Sequence, residues 1–274
     1  METPEHDGTS SVTMRRGALM PIVGFGTWQI QGDAARQAVL IGLEAGYRHI
    51  DTATVYGNER QIGQALKDGE IDRDELFITT KLPGNAKNVR ATIEQSLTDL
   101  GVDYVDLWLI HWPPAESYGP TGNSSRALYE SMLTLRDEGL TRAIGVSNYS
   151  IKEIDLLTTA TADTPEVNQI PWSPYLYDEA RARDLTLRGV VLEGYSPLKT
   201  SRLDDPALEE IASSIGASTA QVVLRWHVQH GIVVIPKSVH EGRIRENFDI
   251  FGFSLSSDAM QRLDALASDG VRDR

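Results

Sequence analysis

Short apolar runs and helical stripes alternate along this chain, and the alternation restricts its fold more than any single motif does. Eight runs read as buried strands: IVGFG (22–26), YRHID (47–51), LFITTK (76–81), YVDLWLIH (104–111), RAIGVSN (142–148), EVNQI (166–170), VVLEGYS (190–196) and IVVIPK (232–237). Their β-branched and aromatic content favours strands over fragments of helix. Stripes of helical period fill the gaps. After Asn88, an N-cap, Val89, Ile93, Leu97 and Leu100 share one face, and Gly101 stops the helix. The stretch 33–45 carries Val39 and Leu43 inward and ends at Gly46, and Leu128, Met132 and Leu135 precede Gly139. Ile151, Ile154 and Leu157 form a shorter stripe, and Leu208, Ile211 and Ile215 another.

Strand and helix in alternation imply parallel strands joined by right-handed crossovers. Eight such units in 274 residues predict an α/β fold, a closed (β/α)8 TIM barrel, with an open doubly wound sheet as the alternative. Ahead of the first unit, VTMRRGALMPI places a glycine turn between two extended pieces, which predicts an N-terminal β-hairpin capping the barrel bottom. Residues 1–11 read as a short flexible tail and 12–274 as a single barrel domain, because no linker or break in composition divides them.

Bulk composition narrows the partners. A formal net charge of −13 argues against nucleic acid, whose affinity comes mostly from basic contacts to phosphate. A phosphorylated small molecule held by a few local cations is still compatible. Without cysteine there are no disulfides or thiolate metal sites, which suits the cytosol. The start METPEHDGTSS lacks the basic residues and apolar run of a signal peptide. No apolar stretch approaches the ~20 residues that cross a membrane. The expectation is a cytoplasmic protein with no membrane partner.

Active sites of such barrels form at the C-terminal ends of the strands. The predicted ends are Asp51, Lys81, His111, Asn148, Gln169, Tyr195 and Lys237. Asp51, Lys81 and His111 are thirty positions apart, one βαβ repeat each, so they fall on neighbouring strands at one height. With Tyr56 on the loop after Asp51 they can form a proton-transfer group. A free tyrosine has a pKa of about 10, too high for a good acid near neutrality. A Lys81 cation beside Tyr56 would lower it, Asp51 would hold Lys81, and His111 would donate a hydrogen bond to a substrate oxygen or share the proton. The task that fits is protonation of a carbonyl oxygen turning into an alkoxide. Each residue alone has a plainer reading: a surface lysine, a structural histidine, a loop-capping aspartate, a packing tyrosine. Their shared phase favours chemistry. His49, two before Asp51 on the same face, reads as a satisfied core histidine. His227 and His230, three apart on a helix, read as helix surface, and no metal site is expected.

GFGTWQ, RHIDTATVYGNE, ITTKL, IHWP, GVSN, NQI, YSPL and IPKSVHEGRIRENF occur in an order that resembles the aldo-keto reductase family over nearly the whole chain. The resemblance implies a (β/α)8 barrel that reduces aldehydes and ketones with NAD(P)H. It maps a catalytic tetrad onto Asp51, Tyr56, Lys81 and His111, with Tyr56 as general acid. It implies that Tyr195 stacks on the nicotinamide and that Ser147, Asn148 and Gln169 bind its carboxamide. Thr27, Trp28, Asp51, Ser196 and Leu198 would also contact the cofactor. Lys237, Ser238, Val239 and Arg243 would form a local cationic pocket for an adenosine 2′-phosphate, followed by adenine contacts at Glu246 and Asn247. NADPH is therefore expected over NADH, which is still possible.

GFGTWQ also begins like a dinucleotide fingerprint, but Gln29 occupies the third glycine position and no helix opens at once, so that signal is weak. Trp28, Tyr56, His111 and Trp112 would line the pocket for a small-molecule carbonyl substrate. LPGN after Lys81 lacks an aromatic, few residues follow Asn247, and KTSRLDDP is compact, so a permissive pocket without a long belt is expected. The leading expectation is a monomeric NADPH-dependent carbonyl reductase. The alternatives are a non-catalytic NADPH-binding sensor or regulatory subunit on the same barrel, and a metal-dependent hydrolase built on His49 and Asp51.

Overall fold

A computed structural model describes residues 7–114 and 125–270. Two short strands, β1 (Ser11–Thr13) and β2 (Leu19–Pro21), pair antiparallel as a hairpin. The hairpin starts at Ser11, and Asp7 organises a turn just before it by accepting from Thr9 and Ser10. Eight parallel strands follow: β3 (Gly24–Gly26), β4 (His49–Asp51), β5 (Phe77–Leu82), β6 (Val105–Ile110), β7 (Thr141–Ser147), β8 (Val167–Pro171), β9 (Val191–Tyr195) and β10 (Val233–Ile235). They lie side by side in chain order. A parallel bridge between Val23 and Val234 brings the last strand to the first, so the sheet closes as a barrel and the open-sheet alternative falls away.

Helices cover the outside. They are α1 (Gly32–Ala45), α2 (Glu59–Asp68), α3 (Val89–Leu100), α4 (Ser125–Asp137) and α5 (Ile151–Thr161), then α6 (Glu179–Leu187), α7 (Pro206–Ile215), α8 (Thr219–Gln229), α9 (Glu241–Phe248) and α10 (Ser257–Gly270). The predicted stripes are the buried faces: Val39 and Leu43 in α1, Ile93, Leu97 and Leu100 in α3, Leu128, Met132 and Leu135 in α4. Asn88 caps α3 through its side chain, accepting from the Ala91 amide, and Gly101 ends it in the left-handed region. The strands are shorter than the apolar runs, so His111, Asn148 and Lys237 lie just beyond β6, β7 and β10.

Inside the barrel the side chains divide by height. Phe77, Leu107, Leu109, Ala143, Val167 and Val233 form an apolar plug, and Met14 and Met20 of the hairpin pack beneath it. The hairpin therefore closes the bottom, as its sequence predicts. Above the plug the inward residues become polar: His49 and Asp51 on β4, Thr79 and Lys81 on β5, Gln169 on β8 and Glu193 on β9, all buried. The two glycines of GFG serve this packing. A Cβ on Gly24 would come within 2.5 Å of the His49 ring, and one on Gly26 would meet the Ile235 carbonyl at 3.0 Å.

One buried carboxylate sets the start of the strand that carries Lys81. Asp106, at the beginning of β6, accepts from the Ile78 amide of β5 at 2.9 Å, from Arg73 at 2.7 Å and from Arg142 at 3.2 Å. Asp106→Ala leaves the Ile78 N–H without its acceptor and is expected to cost about 2–3 kcal/mol, the range for stranding a buried donor of this kind. Urea unfolding checks it: the midpoint falls at unchanged slope, and a midpoint equal to wild type would contradict the account.

Candidate active site

Asp51, Lys81 and His111 do meet at the barrel mouth. Lys81 is fully buried and its Nζ makes three contacts: Asp51 Oδ1 at 2.6 Å, the Thr52 carbonyl at 2.8 Å and the Tyr56 hydroxyl at 3.5 Å. The second Asp51 oxygen accepts from Gln169 Nε2 at 2.7 Å. The ammonium therefore has its three donors aimed, and the carboxylate has both oxygens bonded, which a buried ion pair requires.

Tyr56 is delivered by a single 3-10 turn, Thr54–Tyr56, ended by Gly57 in the left-handed region with φ of 66°. Three polar contacts tie that turn down. Thr54 Oγ1 donates to the Lys81 carbonyl at 2.9 Å, and Gln31 Nε2 to the Tyr56 carbonyl at 2.6 Å. Asn58 donates to the Thr27 and Ile30 carbonyls and accepts from Thr52 Oγ1, so one amide ties the loop after β4 to the loop after β3. The His111 ring stands edge-on to the Tyr56 ring, with centroids 5.6 Å apart.

The electrostatics differ in part from the expectation. Burial lifts the Tyr56 phenol above its ordinary value, and the Lys81 cation, already matched by Asp51, offsets only part of that. Lys81 thus eases phenolate formation without bringing free Tyr56 near neutrality. Burial, the largest single effect, pushes Lys81 downward, but the charges of Asp51, Tyr56 and Glu193 and the Asp51 hydrogen bond together outweigh it and the ammonium is kept. Burial, followed by the Lys81 charge, lowers His111 to about 3. Its imidazole is neutral at working pH, so it offers an N–H or a lone pair and holds no extra proton to share.

Asp51, Tyr56 and His111 line a cleft of about 740 Å3 that runs from Trp28 to Lys237, with Lys81 buried behind them. Gln169, Ser147, Asn148, Tyr195, Ser196 and Leu198 line one side. Ser147 Oγ donates to the Gln169 carbonyl at 2.8 Å, and Asn148 takes a left-handed φ of 66°, tolerated in asparagine. That turn lets Asn148 Nδ2 reach the His111 carbonyl at 3.1 Å while its Oδ1 accepts from the Tyr195 hydroxyl at 2.9 Å. Ser238, Val239, Arg243, Glu246 and Asn247 follow Lys237 along the turn and α9, beyond the cleft's own lining. Ser238 accepts from the His240 amide, Arg243 is exposed and Asn247 is buried. Neither Lys237 nor Arg243 has a carboxylate partner among the described residues, whereas Arg245 pairs with Glu241 and Glu44.

Thr27 does not face the cleft: it is buried and its hydroxyl donates to the Asp51 carbonyl at 2.9 Å, bracing the strand end. Trp28, Val55 and Trp112 ring the mouth, 39%, 60% and 54% exposed, an apolar rim in an acidic protein. Val55 escapes notice in the sequence because it sits between the two reactive residues. Lys199 escapes notice too. It reaches to Trp28, with Nζ 4.7 Å from the ring centroid, so a single side chain crosses part of the mouth. The helix histidines also differ from expectation. His227 is buried between the Val223 and Trp172 carbonyls, and His230 pairs with Asp264 at 2.8 Å. Among the described residues no three histidine or carboxylate groups are placed to hold a metal.

Comparison with known proteins agrees with this geometry. The model of the Aldo/keto reductase family matches residues 22–268. Glyoxal reductase of Bacillus subtilis is 39% identical over 94% of this chain and 93% of its own length. Glycerol 2-dehydrogenase (NADP(+)) of Saccharomyces cerevisiae is 40% identical over 91% and 88%. The crystal structure of an aldo-keto reductase from Bombyx mori in complex with NADP superposes with a TM-score of 0.87 at 33% identity, covering 94% of this chain and 92% of that one. Barrel, site and relatives agree: the chain belongs to the aldo/keto reductase family and is an NAD(P)H-dependent oxidoreductase.

Proposed function

We propose that the protein reduces aldehydes and ketones to alcohols with NADPH, with Tyr56 as the general acid. The observation that carries this reading is Lys81 Nζ, bonded to Asp51 at 2.6 Å while it faces the Tyr56 hydroxyl at 3.5 Å on the cleft floor. The cleft fits a nicotinamide dinucleotide. It has the Tyr195 ring in its wall, amide and hydroxyl groups at Ser147, Asn148 and Gln169, and two cations, Lys199 beside Trp28 and Lys237. Bound NADPH supplies the hydride for the carbonyl carbon. Tyr56 gives its proton to the carbonyl oxygen, and Lys81 stabilises the phenolate left behind. Asp51 keeps Lys81 charged and aimed. His111, neutral, orients the carbonyl by donating one N–H. The rim of Trp28, Val55 and Trp112 suits apolar and aromatic carbonyl compounds of varied shape.

NADPH consumption, followed by absorbance against aliphatic, aromatic and sugar carbonyls with NADH in parallel, tests this reading. The expected result is turnover across several classes with NADPH preferred. Arg243→Ala should raise the KM for NADPH about 10-fold or more, the scale of one charge-assisted phosphate contact, and leave that for NADH nearly unchanged. NADPH binding without turnover of any carbonyl would point instead to a sensor on the same barrel. One substrate far ahead of all others would end the permissive-pocket reading.

A further inference from the structure

Glu193 is a buried acid that the chemistry above does not use. It projects into the barrel from the middle of β9, in register with Gln169 on β8 and Val233 on β10. Neither of its carboxyl oxygens has a hydrogen-bond partner among the described residues. An interior carboxylate without hydration or a partner is costly, so such a group keeps its proton or faces a cation. The nearby cation is already engaged, since Lys81 is bonded to Asp51 and Thr52. The Gln169 amide lies close to Glu193 but makes its hydrogen bond to Asp51. His49 Nε2 is 3.7 Å from Glu193 Oε1, yet burial holds that imidazole neutral, with a pKa of about 3. The layer beneath the cleft thus holds two carboxyl groups and a single cation.

We propose that Glu193 is a positioning residue of the carbonyl reduction: as the acid it leaves Lys81 and Asp51 a neutral pair beneath Tyr56, and as the anion it opposes the Tyr56 phenolate. The inference rests on Tyr56 acting as the general acid. The titratable and charged groups facing Glu193 are His49 and Asp51 on β4, Lys81 on β5 and Tyr56 above them. Burial and then the Asp51 charge raise Glu193 to about 8, against the opposing pull of Gln169 and Lys81. Below that pH the group is the neutral acid. Above it the added negative charge raises Tyr56 further and makes the phenolate harder to form. The kcat for reduction therefore falls as pH rises through about 8.

Glu193→Gln keeps the shape and removes the titration. Wild type should show a several-fold fall in kcat between about pH 7 and about pH 9, either side of that value, and the variant should lose this limb. The same pH 7 to pH 9 ratio in both proteins would overturn the proposal. If the variant does not fold or turn over, carbon NMR of wild type labelled at the glutamate carboxyls decides. A carboxyl titrating near 8 together with the kcat limb supports it, and no glutamate titrating above about pH 7 overturns it. Tyr56→Phe, run in the same series, separates the two ideas. Wild-type turnover in that variant removes the general acid itself, whereas an inactive Tyr56→Phe with an unchanged limb in Glu193→Gln removes only the role of Glu193.

Discussion

Replacing Tyr56 by phenylalanine should lower kcat for carbonyl reduction by about 10³-fold, within the ~10²–10⁴ range that a positioned acid contributes. The substitution removes one oxygen and little else. The phenyl ring that remains would keep the edge contact that the tyrosine ring makes with His111, 5.6 Å between centroids, and would stay near Lys81, whose Nζ is 5.1 Å from the ring centre. NADPH binding should survive, because Tyr195, Asn148 and Lys237 stand elsewhere along the cleft. Fluorescence titration with NADPH checks binding, and single-turnover oxidation of bound NADPH checks the chemical step. Since burial holds the phenol above its ordinary value, Tyr56 carries its proton throughout the neutral range. The reduction should therefore not fail near neutrality for want of an acid. Equal turnover in the variant would take Tyr56 out of the reaction.

What was legible in the sequence follows from period. Strand residues alternate sides and helix residues recur by turns, so the eight runs and the stripes between them predict the barrel without any distant contact. The thirty-residue phase brings Asp51, Lys81 and His111 onto successive strands, but not at one register. Asp51 pairs with Thr79 and Lys81 with Leu109, so Lys81 and His111 each lie two positions further along than a shared height would put them. Glu193 obeys the alternation: it lies two before Tyr195, as His49 lies two before Asp51, so parity alone could have set it inside the barrel. The residues that period cannot find act between loops. Asn58 ties two loops together, and Lys199 meets Trp28 across the mouth, contacts that no local pattern announces. The direction of the Tyr56 shift is hidden for another reason. It depends on whether Lys81 or burial dominates, and that balance follows from the Asp51 charge already spent on Lys81. His227 reads as helix surface because only its spacing to His230 is visible in the sequence, yet the wall of β8 and β9 covers it, an added Cβ on Gly194 lying 3.2 Å from its ring.

Lys81→Met should damage both turnover and stability, because it removes a charge whose partner stays buried. The loss of a donor aimed at developing charge predicts a fall in kcat of about 10²–10³-fold. Stability should fall as well, by about 3 kcal/mol at pH 8, at the lower end of the range for stranding one member of a buried pair. The sign with pH follows from proton counts. Lys81 has a raised folded-state pKa, so its stabilisation is fully present below the ordinary lysine value and is lost only as pH rises through the folded one. In the variant only the Gln169 hydrogen bond still opposes the burial that already lifts Asp51, so Asp51 takes up a proton in the folded chain above the ordinary carboxylate range. The folded variant then binds more protons than the unfolded chain, and its stability declines as pH rises from about 4. The deficit against wild type should therefore be small near pH 4 and large near pH 8, as read by urea midpoints at the two values. Adding Asp51→Asn removes the stranded acid. The double variant should recover much of the midpoint at pH 8 and lose its pH dependence, while turnover stays absent. A deficit that is equal at both pH values, or that the second substitution deepens, would mean that Lys81 stabilises the barrel by packing rather than by its charge.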